Sequence, residues 1–177
     1  MDSSIIPLCL SLFDWAKYRT TKGAIKLHAV LDYDTGLPCY ASLSDGKKHD
    51  VRIAKETLFP SGSVLVIDRA YVDYRWLYNL DSNGVIFVTR LKSNAAIEVL
   101  DDYLTNDKHD HILSDHDIQL AGLASSKDYP NKLRIVRVYD EETNQYLVLL
   151  TNQLSWTADT ISQLYKARWD IEVFFKH

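Results

Sequence analysis

The sequence predicts a mixed α/β fold, a sheet covered by helices, with a β-rich insertion before the last helix. Three observations predict it. Two apolar runs, "SVLVID" and "VIFVTRL", are too continuous for a half-exposed strand and read as strands buried on both faces. A helix-patterned stretch, "YRWLYNLDSNG", lies between them, which is the order of a sheet layered with helices. Ahead of these come three strand-like runs joined as hairpins.

In chain order, "IIPLCLSLF", "AIKLHAVLDYD" and "TGLPCYASLSDG" are the three opening strands, the last two linked through the turn formers Asp34, Thr35 and Gly36. "VRIAKETLF" is a short helix stopped by Pro60 and the Ser61, Gly62 and Ser63 turn. After "SVLVID" the next helix is closed by Asn83 and Gly84, and "VIFVTRL" follows. Residues 92–152 differ in character: "KLRIVRVYD" and "QYLVLLTN" are strands separated by the turn "EETN", and the acidic stretch "DDYLTNDKHDHILSDHD" reads as a solvated loop. Thr157 caps the last helix, with Asp159 in the first turn where the helix dipole favours negative charge. The organisation expected is a core of residues 1–91 and 153–177 interrupted by a β-rich insertion at 92–152.

With 177 residues, 46% hydrophobic and 25% charged, the chain has the make-up of an ordinary soluble domain with a real core. No apolar run approaches the roughly 20 residues of a membrane span. The first residues, "MDSSIIPLCLSLFDW", lack the basic region of a secretory signal, so a cytoplasmic location without a membrane partner is expected. Cys9 and Cys39 lie in apolar strand-like runs without metal-ligand spacing and read as buried thiols. A net charge of −4 speaks at first against nucleic acid. However, residues 101–117 hold six Asp and one Lys, which leaves the remainder near +1. Lys17, Arg19, Lys22 and Lys26 form one basic run there, and Lys47, Lys48 and Arg52 another.

Two carboxylates have awkward positions. In "YKARWDIEVFFKH" and the Leu164 before it, helical spacing puts Leu164, Ala167, Ile171, Phe174 and Phe175 on one apolar stripe, and Tyr165, Arg168 and Glu172 on a second beside it. A half-buried carboxylate must be paired, hydrogen-bonded or bound to a metal. The plain reading is an Arg168–Glu172 pair at i, i+4, worth roughly a few tenths of a kcal/mol. Asp68 ends "VLVID", at the C-terminal tip of a strand where open α/β sheets put ligands, although an Asp there can equally cap the next turn. One explanation serves both: Asp68 and Glu172 converge on a divalent cation, and Mg²⁺, a hard ion that takes one or two carboxylates, suits them. The other candidates are plainer. His28 and His49 read as surface groups, His109, His111 and His116 as members of the solvated loop, and Trp15 and Trp76 as core.

Here a family resemblance becomes specific. "DRAY", Asp68 to Tyr71, resembles the D-x-G/A-Y/F motif of DDE transposases of bacterial insertion sequences, and "YKARWDIE", Tyr165 to Glu172, resembles the Y-x2-R-x3-E part of the signature closing their catalytic core. The opening "DSS" at Asp2 is similar to the D-S-S/T stretch that bears their first catalytic Asp, and "GAIKLH" and "SDGKKHDV" also fit the group. The resemblance implies a ribonuclease-H-like core with a β-rich insertion. It also implies catalysis by Asp2, Asp68 and Glu172 holding Mg²⁺ (Mn²⁺ as a substitute), with Tyr165, Arg168, Lys26 and Tyr71 on double-stranded DNA. A homodimer in the DNA complex and a nucleoid-associated location follow from the same resemblance.

Two features depart from the family pattern. The family's Lys seven residues after the Glu has no counterpart, because five residues follow Glu172, and only Met1 precedes Asp2. The chain therefore reads as clipped at both ends. Asp14 and Asp32 are alternative first carboxylates on periodicity alone. A nuclease of the same fold, and a relic that binds DNA or a partner without cutting, stay open beside the transposase reading.

Overall fold

The computed structural model describes residues 2–8, 17–19, 22–32, 35, 37–45, 50–103 and 111–168. It is a mixed α/β structure that divides into two compact units, Met1–Leu58 with Arg168–His177, and Phe59–Ala167.

In the first unit, strand β1 (Asp2–Leu8), the short β2 (Lys17–Arg19), β3 (Lys22–Leu31) and β4 (Pro38–Asp45) form one antiparallel sheet. β3 pairs with both β1 and β4, and β2 pairs with its first residues. The β3–β4 turn is held by Asp32, whose carboxylate accepts from the Thr35 amide and hydroxyl, each at 2.9 Å, as Asp does at tight turns. Helix α1 (Asp50–Glu56) follows and buries Ala54. Cys39 corrects the expectation of a buried thiol: it is exposed, and its Sγ donates to the Val30 carbonyl at 3.4 Å. The apolar run around it predicted a strand, but Cys39 alternates with Tyr40 and falls on the outer side. Cys9, Trp15, His49 and His109 lie outside the described residues.

The second unit is a six-stranded sheet in the order β5-β6-β10-β9-β8-β7. Its strands are β5 (Val64–Val66), β6 (Ile86–Arg90), β7 (Ile97–Asp102), β8 (Ile112–Leu120), β9 (Leu133–Asp140) and β10 (Gln145–Thr151). β5 and β6 are parallel and are joined by a 3₁₀ turn at Arg69–Tyr71 and helix α2 (Tyr74–Ser82), while the other neighbours are antiparallel.

The cause is legible in the residues. Phe87, Val88 and Thr89 of β6 are all fully buried, as a continuous apolar run requires when both faces are covered. On one side α2 contributes Trp76, Leu77 and Leu80; Gly84 closes it at φ +73°, where an added Cβ would collide with the Ser61 hydroxyl. On the other, α4 (Ala158–Lys166) packs Ala158, Ile161 and Tyr165 against Val88, Val136, Val138 and Leu149. Thr157 caps α4 as expected, its hydroxyl accepting from the Thr160 amide at 3.1 Å. A short helix, α3 (Ser125–Asp128), precedes β9.

The acidic stretch is the clearest correction to the sequence reading. Ile112–Leu120 is a strand in the body of the sheet, with Asp115 and Asp117 each 5% exposed. Arg134 forks onto Asp115, with Nε donating to Oδ1 at 2.7 Å and Nη2 to Oδ2 at 2.5 Å. Asp117 accepts from the Tyr103 hydroxyl at 2.9 Å and meets Lys132 at 3.1 Å, and His116 lies 2.5 Å from Asp102. Asp115 and Asp117 can be buried because basic partners on and beside the next strand, Arg134 and Lys132, come with them. Asp140, on β9, is buried too and binds the Glu142 amide and the Thr143 hydroxyl in the turn to β10.

Candidate functional site

The parallel pair β5–β6 sets the candidate site. Val66 stands opposite Val88, and the Ile67 amide donates to the Val88 carbonyl at 3.1 Å. Two residues further on, β6 ends at Arg90, still paired with Leu149, and the chain leaving β5 reaches Asp68, the cap of the 3₁₀ turn. Asp68 Oδ1 accepts from the Ala70 amide at 2.8 Å, which caps the 3₁₀ turn, and Oδ2 accepts from Arg90 Nη2 at 3.3 Å. The capping and ligand readings of Asp68 are thus compatible: one oxygen holds the turn, and the other faces a charge.

Beside this pair opens a cleft of about 350 Å³ lined by Asp68, Arg69, Ala70, Arg90, Lys92, Ser93 and Asn94. The Asp68 and Arg90 side chains are 23% and 28% exposed. Lys92 Nζ sits 5.9 Å from the centre of the Tyr74 ring, and burial pushes the Tyr74 hydroxyl above its ordinary range. Three cationic side chains around one carboxylate give the cleft a positive rim, which suits an anionic ligand.

The remaining predicted residues fall elsewhere. Asp2 opens β1 opposite Ala29, and Lys26 lies on β3 between Ile5 and Ser44; both belong to the first unit. Tyr71, in the turn after Asp68, is 1% exposed, and Tyr165 is 2% exposed within the core cluster around α4. Arg168 is buried as well. The burial of Tyr71, Tyr165 and Arg168 does not match the open DNA contacts expected of them. Asp32 is occupied with its turn, and Asp14 and Glu172 lie outside the described residues. Among the described residues no three His, Cys, Asp or Glu side chains converge on a metal-sized space.

Sequence reading missed Arg90. The signal was present: "VLVID" and "FVTR" are parallel strands of matched register, each an apolar run ending in a charge of opposite sign.

A second polar cluster surrounds Arg134, whose guanidinium also donates to the Trp156 carbonyl at 2.6 Å and lies 4.5 Å from the Tyr103 ring centre. Burial works against the charge on Arg134, but the hydrogen bond and charge of Asp115 outweigh it and raise its pKa. Asp117 raises Lys132 in the same way, and burial followed by Asp117 raises Tyr103. This cluster ties β8 and β9 to the loop that enters α4.

A carboxylate just past the end of a parallel strand, beside a cleft with a basic rim, is the place where open α/β sheets put ligands. The chain belongs to the family of the transposase DDE domain, whose family model matches residues 1–177. It is 31% identical over 180 residues to "Putative transposase y4zB" of Sinorhizobium fredii, covering 99% of this chain and 49% of that protein. It is 27% identical over 177 residues to "Probable transposase for insertion sequence element IS5377" of Geobacillus stearothermophilus, covering 99% of this chain and 46% of that protein. The chain therefore spans about half the length of the curated relatives it matches. No described helix is long and apolar enough to cross a membrane.

Proposed function

We propose that this chain is the catalytic domain of a DNA transposase, with a ribonuclease-H-like core, that cleaves the ends of an insertion sequence and joins them to target DNA. The observation that carries the reading is Asp68. It is a partly exposed carboxylate on the cleft, anchored by the Ala70 amide, within a motif of the family to which the chain belongs. Residues 92–152 are read as the insertion into that core.

Asp2, Asp68 and Glu172 would hold Mg²⁺, with Mn²⁺ as a substitute. Asp68 fits such an ion, because its hard oxygen donor is oriented and reachable from solvent. When bound, divalent cations supply activation of the attacking oxygen and charge relief at the leaving oxygen of an in-line displacement. The protein's own part is positioning. Arg69 and Lys92 on the cleft offer cations to a phosphodiester, and Lys26 adds another from β3. Arg168, once turned to DNA, would hold a phosphate through its planar fork. Tyr165, from the α4 core, joins it at the DNA only after that helix region rearranges, and Tyr71 supports the turn behind Asp68. Water opens the element's end and frees a 3′-OH, and that hydroxyl then attacks target DNA. Double-stranded DNA is the partner, a homodimer the assembly on it, and the cytoplasm, at the nucleoid, the place.

The test is Mg²⁺-dependent nicking and joining of a duplex carrying the element's end. Glu172→Gln and Asp68→Asn are each expected to abolish nicking while leaving DNA affinity similar or raised. Unchanged nicking in either variant removes that residue as a ligand. Hydrolysis without joined products would make the chain a nuclease of the same fold, and DNA binding without nicking a non-catalytic relic.

A further inference from the structure

We infer that Arg90 is a positioning residue that stands in for the divalent cation at Asp68 in the metal-free chain and competes with that cation for the carboxylate. The inference rests on the reading of Asp68 as a metal ligand.

Four observations carry it. Arg90 is paired into the sheet opposite Leu149, and the parallel register ends with the Ile67 amide on the Val88 carbonyl, so Asp68 comes one residue after the last backbone bond, as the cap of the 3₁₀ turn, within reach of Arg90. Asp68 Oδ1 is held by the Ala70 amide, which fixes the carboxylate plane, and Oδ2 is the oxygen that meets the guanidinium on the cleft. The Arg90 contact is long, 3.3 Å through Nη2, and its Nε is enclosed without a hydrogen-bond partner among the described residues, whereas Arg134 uses both Nε and Nη2 on Asp115. Finally, both side chains are about a quarter exposed, so the pair can separate without stranding a charge out of water.

A guanidinium held this way balances the carboxylate's charge while no ion is bound. An Mg²⁺ or Mn²⁺ ion needs the same oxygen lone pairs at about 2.1 Å, and its charge repels the guanidinium. Arg90 must therefore give way when the ion arrives, and the cleft provides the room. Metal affinity is lower by whatever that displacement costs.

The measurement is a Mn²⁺ titration of the chain without DNA, reading free Mn²⁺ by electron paramagnetic resonance. Arg90→Gln is expected to bind Mn²⁺ about three- to ten-fold more tightly than the parent, the size of losing one partly exposed repulsion. Arg90→Lys, which keeps the charge, should stay within about two-fold of the parent. Should Arg90→Gln fail to fold by circular dichroism, Arg90→Met, which keeps the aliphatic stem, carries the same expectation. Equal or weaker Mn²⁺ binding in a folded neutral variant, with Asp68→Asn losing the ion, overturns the inference and leaves the functional reading standing. Parent-like Mn²⁺ binding by Asp68→Asn instead overturns the ligand role of Asp68 itself.

Discussion

Two Asp–Arg pairs lie in the same sheet and do opposite things. Asp115–Arg134 is sealed: both side chains are about 5% exposed or less, the guanidinium forks onto both carboxylate oxygens, and a third nitrogen reaches the Trp156 carbonyl. Asp68–Arg90 is open: a 3.3 Å contact at the ends of two parallel strands, beside a cleft. The chemistry is the same and the burial differs. A sealed pair fixes structure because neither charge can be released without stranding the other. An open pair can exchange partners, which is what a site needs. The comparison teaches that an acidic residue in this fold is judged by whether it can let go.

The largest expected effect comes from breaking the sealed pair. Asp115→Ala leaves Arg134 buried without its partner and should lower unfolding free energy by about 3–5 kcal/mol, read by urea denaturation. Asp68→Asn keeps the Oδ1 acceptor for the turn and should cost less than about 1 kcal/mol. Similar losses in the two variants would erase the distinction between the pairs.

A smaller effect lies at alkaline pH. Burial first, then the hydrogen bond and charge of Asp81, raise the pKa of the Tyr129 hydroxyl above its ordinary value of 10.0. The folded chain therefore keeps this proton after the unfolded chain has released it. The stability it contributes is complete below about pH 10 and is lost as pH climbs toward the folded value. Tyr129→Phe should cost on the order of 1 kcal/mol at neutral pH and flatten the decline above pH 10. An equally steep decline in denaturation midpoints of the variant would assign the alkaline limb to Lys132 and Tyr103, whose pKa values Asp117 also helps to raise.

Much of this architecture was legible in the residues, for stated reasons. "VIFVTRL" announced a doubly covered strand, and Thr157 and Gly84 marked helix ends, because burial and capping leave local signatures; "VLVID" announced a strand too, but β5 is at the sheet edge, with Leu65 buried and Val64 41% exposed, so the expectation of burial on both faces does not hold there. The strand at Ile112–Leu120 was hidden. Its buried residues include Asp115 and Asp117 beside Ile112, Ile118 and Leu120, so the pattern carries charge where apolar side chains are expected, and a register shift between Ile112 and Ser114 breaks the period. The partners that make such burial tolerable, Lys132 and Arg134, lie on and beside another strand and cannot be found by local pattern. Asp68 was visible as an acid ending a strand, but the guanidinium facing it was not, because parallel pairing is a non-local fact. Glu172 and Asp14 fall outside the described residues, so a family motif alone speaks for Glu172 and periodicity alone for Asp14.

The most direct test is crystallographic: crystals of the chain soaked in Mn²⁺, with anomalous scattering used to locate the ion. The expected result is a peak about 2.1 Å from an Asp68 carboxylate oxygen, with Asp2 or Glu172 on the same ion and Arg90 turned away. A well-occupied Mn²⁺ bound elsewhere, with Asp68 still held by Arg90, would contradict the account.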